Sequence, residues 1–260
     1  MFPIRDDNPH ILTPYATILI IALNAAAWVL VQGMGAEPAL SGSVCRLGLI
    51  PGELLHTVAP GTEFPIGPQS VCVIGAGSGW YTTVTSMFLH GGWFHIIGNM
   101  WFLWIFGNNV EDSMGHLRFL VFYLLCGLAA AATQVASNPG SPIPMVGASG
   151  AIGGVMGAYI LLYPRVHVHL LIFLGFFITT VAVPAVFMLG YWFLLQVLSG
   201  VSSIGAQGGG VAFWAHAGGF LAGAVLVLLF RDPRLLQRHP YHGWRRRDSA
   251  TQSWRRIGRR

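Results

Sequence analysis

Apolar positions in this chain fall in long runs rather than short alternations. Crossing a bilayer core of about 30 Å takes about 20 residues as a helix, and runs approaching or exceeding that length lie at 13–32, 83–106, 117–137, 146–163, 179–198 and 214–230. They predict six transmembrane helices in one compact unit, an all-α, polytopic membrane fold. The apolar piece at 168–178 is too short to span and is expected to lie in the membrane interface as an approach to the fifth span. Between the first two spans runs a loop of about fifty residues, far beyond the usual length. Its apolar patches (Leu47, Leu49, Ile50, Leu54, Leu55) and the pair Trp80-Tyr81 suit a segment resting in the outer interface.

Composition agrees with this pattern. With 54% hydrophobic and 9% charged residues and a mean hydropathy of +0.61, the chain has too few charges to cover a soluble globule. Orientation follows from arginine, since lysine is absent. Under six spans Arg5, Arg118, Arg165 and the ten arginines after Phe230 share one side, whereas the opposite side holds only Arg46. The positive-inside rule then places both termini in the cytoplasm. No basic leader precedes the first span and Asp6-Asp7 follow Arg5, so that span is expected to be retained. The expected organisation is a polar cytoplasmic arm at 1–12, a six-span domain at 13–230 with its external loop at 33–82, and a basic cytoplasmic tail at 231–260. The tail is read as held near anionic lipid heads, at about 1 kcal/mol per charge, and no nucleic-acid partner is expected. Within the first span, Asn24 is expected to bond a neighbouring helix.

Cys45 and Cys72 share the external loop, where an oxidising compartment permits a disulfide that spacing alone does not establish. Cys126 lies within the third span as a packing residue, and no Cys-x-x-Cys pattern suggests metal. No cofactor is expected.

Candidate chemistry is confined to a small polar set inside the spans, where ionisable groups are costly and mark function. Ser149 stands between small residues in Gly147-Ala148-Ser149-Gly150, which leaves its hydroxyl open to a substrate. His95 and Asn99 are four apart and share a face of the second span, whereas His90, five before His95, falls about 140° away on a regular helix. His216 opens the sixth span. Under the derived topology Ser149, His216, His95 and Asn99 sit near the outer ends of the second, fourth and sixth spans. Ser149, Gly153 and Gly157 form one face, and His216, Gly219 and Gly223 another, so these helices can pack closely. Serine and histidine would then meet as nucleophile and base, with Asn99, His95 and the Ser149 N–H as oxyanion donors.

Rival chemistries match less of the pattern. His-Glu-x-x-His is absent, and none of the proposed spans contains Asp or Glu except at the Glu111-Asp112 connection. A histidine-lined transporter using His90, His95 and His216 leaves the serine motif unexplained, and an inactive binding scaffold leaves both Ser149 and His216 unexplained.

From Trp80 to Gly223 the chain resembles the rhomboid family of intramembrane serine proteases. The resemblance rests on His90, His95 and Asn99, on Glu111-Asp112-Ser113-Met114-Gly115-His116-Leu117-Arg118, on Gly147-Ala148-Ser149-Gly150, and on Ala215-His216-Ala217-Gly218-Gly219-Phe220-Leu221-Ala222-Gly223. It implies a six-helix bundle, hydrolysis of peptide bonds in or near the transmembrane segments of membrane-anchored substrates, and a Ser149–His216 dyad. It further implies that His95 and Asn99 bind the oxyanion with His90 in support. The expected location is the bacterial cytoplasmic (inner) membrane. Two positions depart from the family pattern: Gly153, where some relatives carry a ring that stacks on the histidine, and Trp80-Tyr81, where a Trp-Arg pair is frequent. Rings on the fifth span (Phe187, Tyr191, Trp192, Phe193) and the second (Trp93, Phe94, Trp101, Trp104) suggest a separable contact through which substrate enters.

Overall fold

The computed structural model describes residues 2–67, 70–75, 79–174, 177–203 and 211–241. The arginines from Arg245 onward, and with them the expected lipid contact of the tail, lie outside the described residues, as does most of the loop before the last long helix.

The chain opens with strand β1 (Phe2–Asp6) and helix α1 (Tyr15–Leu30). The segment after α1 holds α2 (Ala39–Leu47), α3 (Pro51–Leu54), strands β2 (Glu63–Gly67) and β3 (Ser70–Val73), and α4 (Thr82–Thr85). Helices α5 (Trp93–Met114), α6 (His116–Ser137) and α7 (Ser149–Leu162) follow. A hairpin of β4 (His167–Leu174) and β5 (Phe177–Pro184) then leads to α8 (Ala185–Ser202), α9 (Phe213–Phe230) and a short α10 (Pro233–Arg238). Helices α6, α8 and α9 are long and apolar enough to cross a membrane, and α1 and α7 are shorter apolar helices.

Helix α7 occupies the centre. Nearly all of it is buried, and it packs on α9, α6, α5 and α8. Its small residues allow this: a methyl group on Gly157 would lie 2.0 Å from the Phe220 carbonyl oxygen, and one on Gly154 would lie 2.4 Å from Cys126 Cβ. Such backbone-to-backbone approach maximises dispersion contact where lipid offers no hydrophobic drive. At 1.5 Å per residue α7 is only about 21 Å long, shorter than a bilayer core of about 30 Å.

The acidic pair at the end of α5 ties α1 to this bundle. Fully buried Glu111 accepts hydrogen bonds from the backbone N–H groups of Ala16 and Thr17 and from the Thr17 hydroxyl, while Asp112 accepts from the N–H groups of Ile11 and Leu12. The first-turn N–H groups of a helix have no intrahelical acceptor, so a buried carboxylate there is satisfied and favoured by the helix dipole.

Several expectations are corrected. The fold is mostly helical rather than all-α, because two small sheets accompany the helices. The apolar approach to the fifth span is a hairpin: β4 and β5 pair along their full length and β1 adds to β4, in the order β1-β4-β5. Val168 and Leu170 on one face of β4 are buried in the main core. The N-terminal arm is therefore docked. Trp101 Nε1 donates to the Pro3 carbonyl at 2.7 Å, Tyr159 and Asn109 donate to the Asp6 carboxylate, and His169 Nε2 pairs with Asp7 at 2.8 Å. Residues 179–184 belong to β5, so the fifth long helix starts only at Ala185. Asn24 is buried but donates to its own helix at Ile20, not to a neighbour. The first part of the basic tail is ordered as α10, whose Asp232 cap also meets Arg118 at 3.5 Å.

The segment between α1 and α5 builds a small core of its own, while Trp80 and Tyr81 stay exposed. Leu49 and Ile50 are buried, and Cys45 and Cys72 form a disulfide beside Ile50 and Ile74. Leu49 exchanges two backbone hydrogen bonds with Met145, and the Gly52 N–H donates to the Ser141 carbonyl. These bonds brace the segment that leads into Ser149.

Candidate active site

Three helix N-termini converge on one cavity of about 760 Å³. Ser149 is the first residue of α7, His216 the fourth of α9 and His95 the third of α5. All three line the cavity, with Ser86, Gln134 and Gly147. Helix N-termini carry partial positive charge and free N–H groups, which suits them to hold negative charge that develops between them.

His216 Nε2 lies 2.7 Å from Ser149 Oγ. Its other ring nitrogen, Nδ1, lies 2.8 Å from Oε1 of Gln196 on α8. The Trp192 ring, one turn earlier on α8, lies 5.8 Å from the His216 ring at a tilt of 33°. The ring missing at Gly153 is thus supplied from another helix, and the geometry explains the glycine: a Cβ on Gly153 would lie 2.9 Å from the His216 carbonyl oxygen.

His95 faces the serine across Gly147. Its Nδ1 accepts the Gly91 N–H at 3.1 Å, which leaves Nε2 as the protonated nitrogen. Gly147 adopts φ +131, a conformation that favours glycine, and a Cβ there would lie 2.7 Å from His95 Nε2 and 3.4 Å from Ser149 Oγ. Only a residue without a side chain leaves the space between these two atoms open. The Gly147 N–H is itself anchored, donating to the Ser86 carbonyl at 2.9 Å.

His90 occupies a different position from that expected. Helix α5 starts at Trp93, after Gly91-Gly92, so His90 precedes the helix and the 140° separation does not apply. Its backbone is clamped by Gln32, which donates to the His90 carbonyl at 2.7 Å and accepts from its N–H at 2.8 Å. The buried His90 ring meets the His95 ring edge-on at 5.1 Å and so backs the residue that lines the cavity. Asn99, one turn beyond His95, is buried with its Nδ2 lacking a protein partner, and is not among the residues lining the cavity. Gln196 is a site residue that the ionisable set in the sequence does not include; its signal is a carboxamide inside an apolar helix.

The Rhomboid domain family matches residues 77–233, well over half of the chain. The chain belongs to the rhomboid family. It is similar to Rhomboid protease GluP of Bacillus subtilis, at 36% identity over 167 residues, which cover 64% of this chain and 30% of that protein. It is similar to Rhomboid-like protein 11, chloroplastic, of Arabidopsis thaliana, at 34% identity over 154 residues, covering 58% of this chain and 52% of the relative. Rhomboid-like protease 5 of Toxoplasma gondii matches at 30% identity over 149 residues, 56% of this chain and 16% of that protein. The matched region is thus well under two thirds of the length of each relative. This rhomboid is an integral, multi-pass membrane protein whose family match contains His90, His95, Asn99, Ser149, Gln196 and His216.

Proposed function

We propose that this chain is an intramembrane serine endopeptidase that hydrolyses peptide bonds in or near the transmembrane segments of membrane-anchored protein substrates. The observation that carries the reading is the 2.7 Å contact between His216 Nε2 and Ser149 Oγ at the edge of an open cavity. Ser149 Oγ attacks the scissile carbonyl carbon while His216 Nε2 takes its proton. The oxyanion forms facing the Ser149 N–H at the start of α7 and the His95 Nε2–H, with the Asn99 amide as a further donor. Collapse breaks the C–N bond, His216 returns the proton to the leaving amine, and Ser149 holds the acyl group. A water molecule, deprotonated by His216, then attacks the ester; the acid departs and the serine recovers its proton. Glycine at 147 leaves room for an extended substrate backbone at the serine.

The six long helices α1, α5, α6, α7, α8 and α9 are read as six spans, with both termini and the β1-β4-β5 sheet in the cytoplasm of a bacterial inner membrane and the disulfide-bearing loop outside. Cleavage of a single-span reporter substrate tests the activity. Ser149→Ala and His216→Ala are expected each to abolish it at unchanged expression, because neither half of a dyad works alone. Near-normal cleavage by either variant overturns the assignment.

A further inference from the structure

We propose that Gln196 is a positioning residue for the base, an uncharged third member that fixes the tautomer of His216. The proposal rests on the reading of Ser149 and His216 as nucleophile and base. Gln196 offers His216 either an acceptor oxygen or a donor nitrogen, and its surroundings decide which. Its Nε2 lies 3.3 Å from the Trp192 carbonyl oxygen. A carbonyl oxygen only accepts, so the amide nitrogen belongs there, and Oε1 is the atom turned to the imidazole at 2.8 Å. An amide oxygen also only accepts, so His216 Nδ1 carries the proton and Nε2 presents its lone pair to Ser149 Oγ. The opposite tautomer sets two lone pairs against each other at Gln196 and points an N–H at the serine, which then has no base.

A neutral amide suits this place better than a carboxylate. Gln196 lies in an apolar helix, where an ion without solvent is costly and an amide bonded at both ends is satisfied. Both groups that orient His216, the Gln196 oxygen and the Trp192 ring, sit one turn apart on α8. That helix is thinly held: only Ala185, Leu189 and Gly200 are fully buried, while Phe187, Tyr191, Leu194 and Leu198 are exposed. Gln196 therefore ties the competence of the base to the seating of α8 against α9.

The test compares Gln196→Met, which keeps length but removes the acceptor, with Gln196→Glu, which restores an acceptor oxygen at the same reach. On a single-span fusion substrate in detergent micelles, Gln196→Met is expected to lower kcat by about 10- to 100-fold with KM and melting temperature unchanged. Gln196→Glu is expected to recover most of that loss. Wild-type kcat in Gln196→Met, or equal loss in both variants, overturns the proposal. A second readout does not need cleavage. In protein labelled with 15N-histidine, with His216 signals identified by their loss in His216→Asn, wild type is expected to show a protonated Nδ1 and a bare Nε2, and Gln196→Met to lose that bias. A protonated Nε2 in wild type overturns the proposal whatever the protease assay gives. A protonated Nδ1 without Ser149-dependent cleavage supports the tautomer assignment and removes the protease reading instead.

Discussion

Gly223 of α9 lies so close to Gly154 of α7 that a methyl group on Gly223 would sit 1.9 Å from the Gly154 carbonyl oxygen. The same holds one turn nearer the site, where a Cβ on Gly219 would fall 2.0 Å from the Gly150 carbonyl oxygen. Neither obstacle is a side chain that can swing away. The Ser149–His216 distance is thus set by two backbones in contact, and any bulk between them drives the pair apart.

Gly219→Val is accordingly expected to reduce cleavage by at least about 100-fold, since displacement of reacting groups by about 1 Å costs on that order. Cleavage of a reporter substrate by the purified variant, with its melting temperature, checks this. A folded Gly219→Val protein with wild-type turnover would show that α7 and α9 do not set the geometry. Trimming Trp192 and Phe193 is a different experiment from what the sequence suggested. Those rings pack on Phe220 of α9, at 6.2 and 4.7 Å, so they contribute to the seating of α8.

Gly147 gives a sharper local test. Gly147→Ala puts a methyl group between His95 Nε2 and Ser149 Oγ in a backbone conformation that disfavours side chains. Loss of one oxyanion donor costs about 10²- to 10³-fold in kcat. Since the methyl group also crowds the serine, a loss at the upper end of that range is expected for Gly147→Ala, with the smaller loss for Asn99→Ala. An Asn99→Ala enzyme with undiminished kcat would remove Asn99 from the oxyanion site.

The N-terminal strand is predicted to be sensitive to pH. Burial pushes the Asp6 carboxyl up to about 7, against the opposing effect of the Tyr159 hydrogen bond, with Asp7 adding like charge. The folded value exceeds the ordinary carboxylate value of 3.8, so the docked strand binds the proton more tightly than the free strand. Docking strength is then full below about pH 4 and falls as pH rises through about 7. Amide hydrogen exchange across residues 2–6, corrected for intrinsic rates, is expected to show less protection at pH 8 than at pH 5. Asp6→Asn keeps an acceptor for Tyr159 and removes the ionisation, so its protection should not fall with pH in this range. Equal pH dependence in wild type and Asp6→Asn contradicts the assignment.

Much of the site was legible because it obeys helical spacing. Ser149, Gly153 and Gly157 repeat every four residues, as do Gly219 and Gly223, and close helix contact follows from small residues alone. Helix α5 starts ten residues after the expected span does, because Thr82–Phe88 forms only short helical turns and Gly91-Gly92 separates them from the helix. The hairpin was hidden for a different reason. The sequence from 170 to 178 is apolar without alternation, so the sign of a strand is faint, and the pairing of β4 with Phe2–Asp6 joins segments more than 150 residues apart. Gln196 could not be assigned from spacing, since its partner lies on another helix and neither residue marks the other.

Covalent labelling tests the central claim most directly. Incubation of the purified protein with a serine-directed fluorophosphonate, followed by peptide mapping, is predicted to place a single adduct on Ser149. Labelling is predicted to vanish in Ser149→Ala and to slow by at least about 100-fold in His216→Ala, which lacks the base. Wild-type protein that stays unlabelled while folded, or an adduct that persists in Ser149→Ala, would contradict the assignment of Ser149 as the nucleophile.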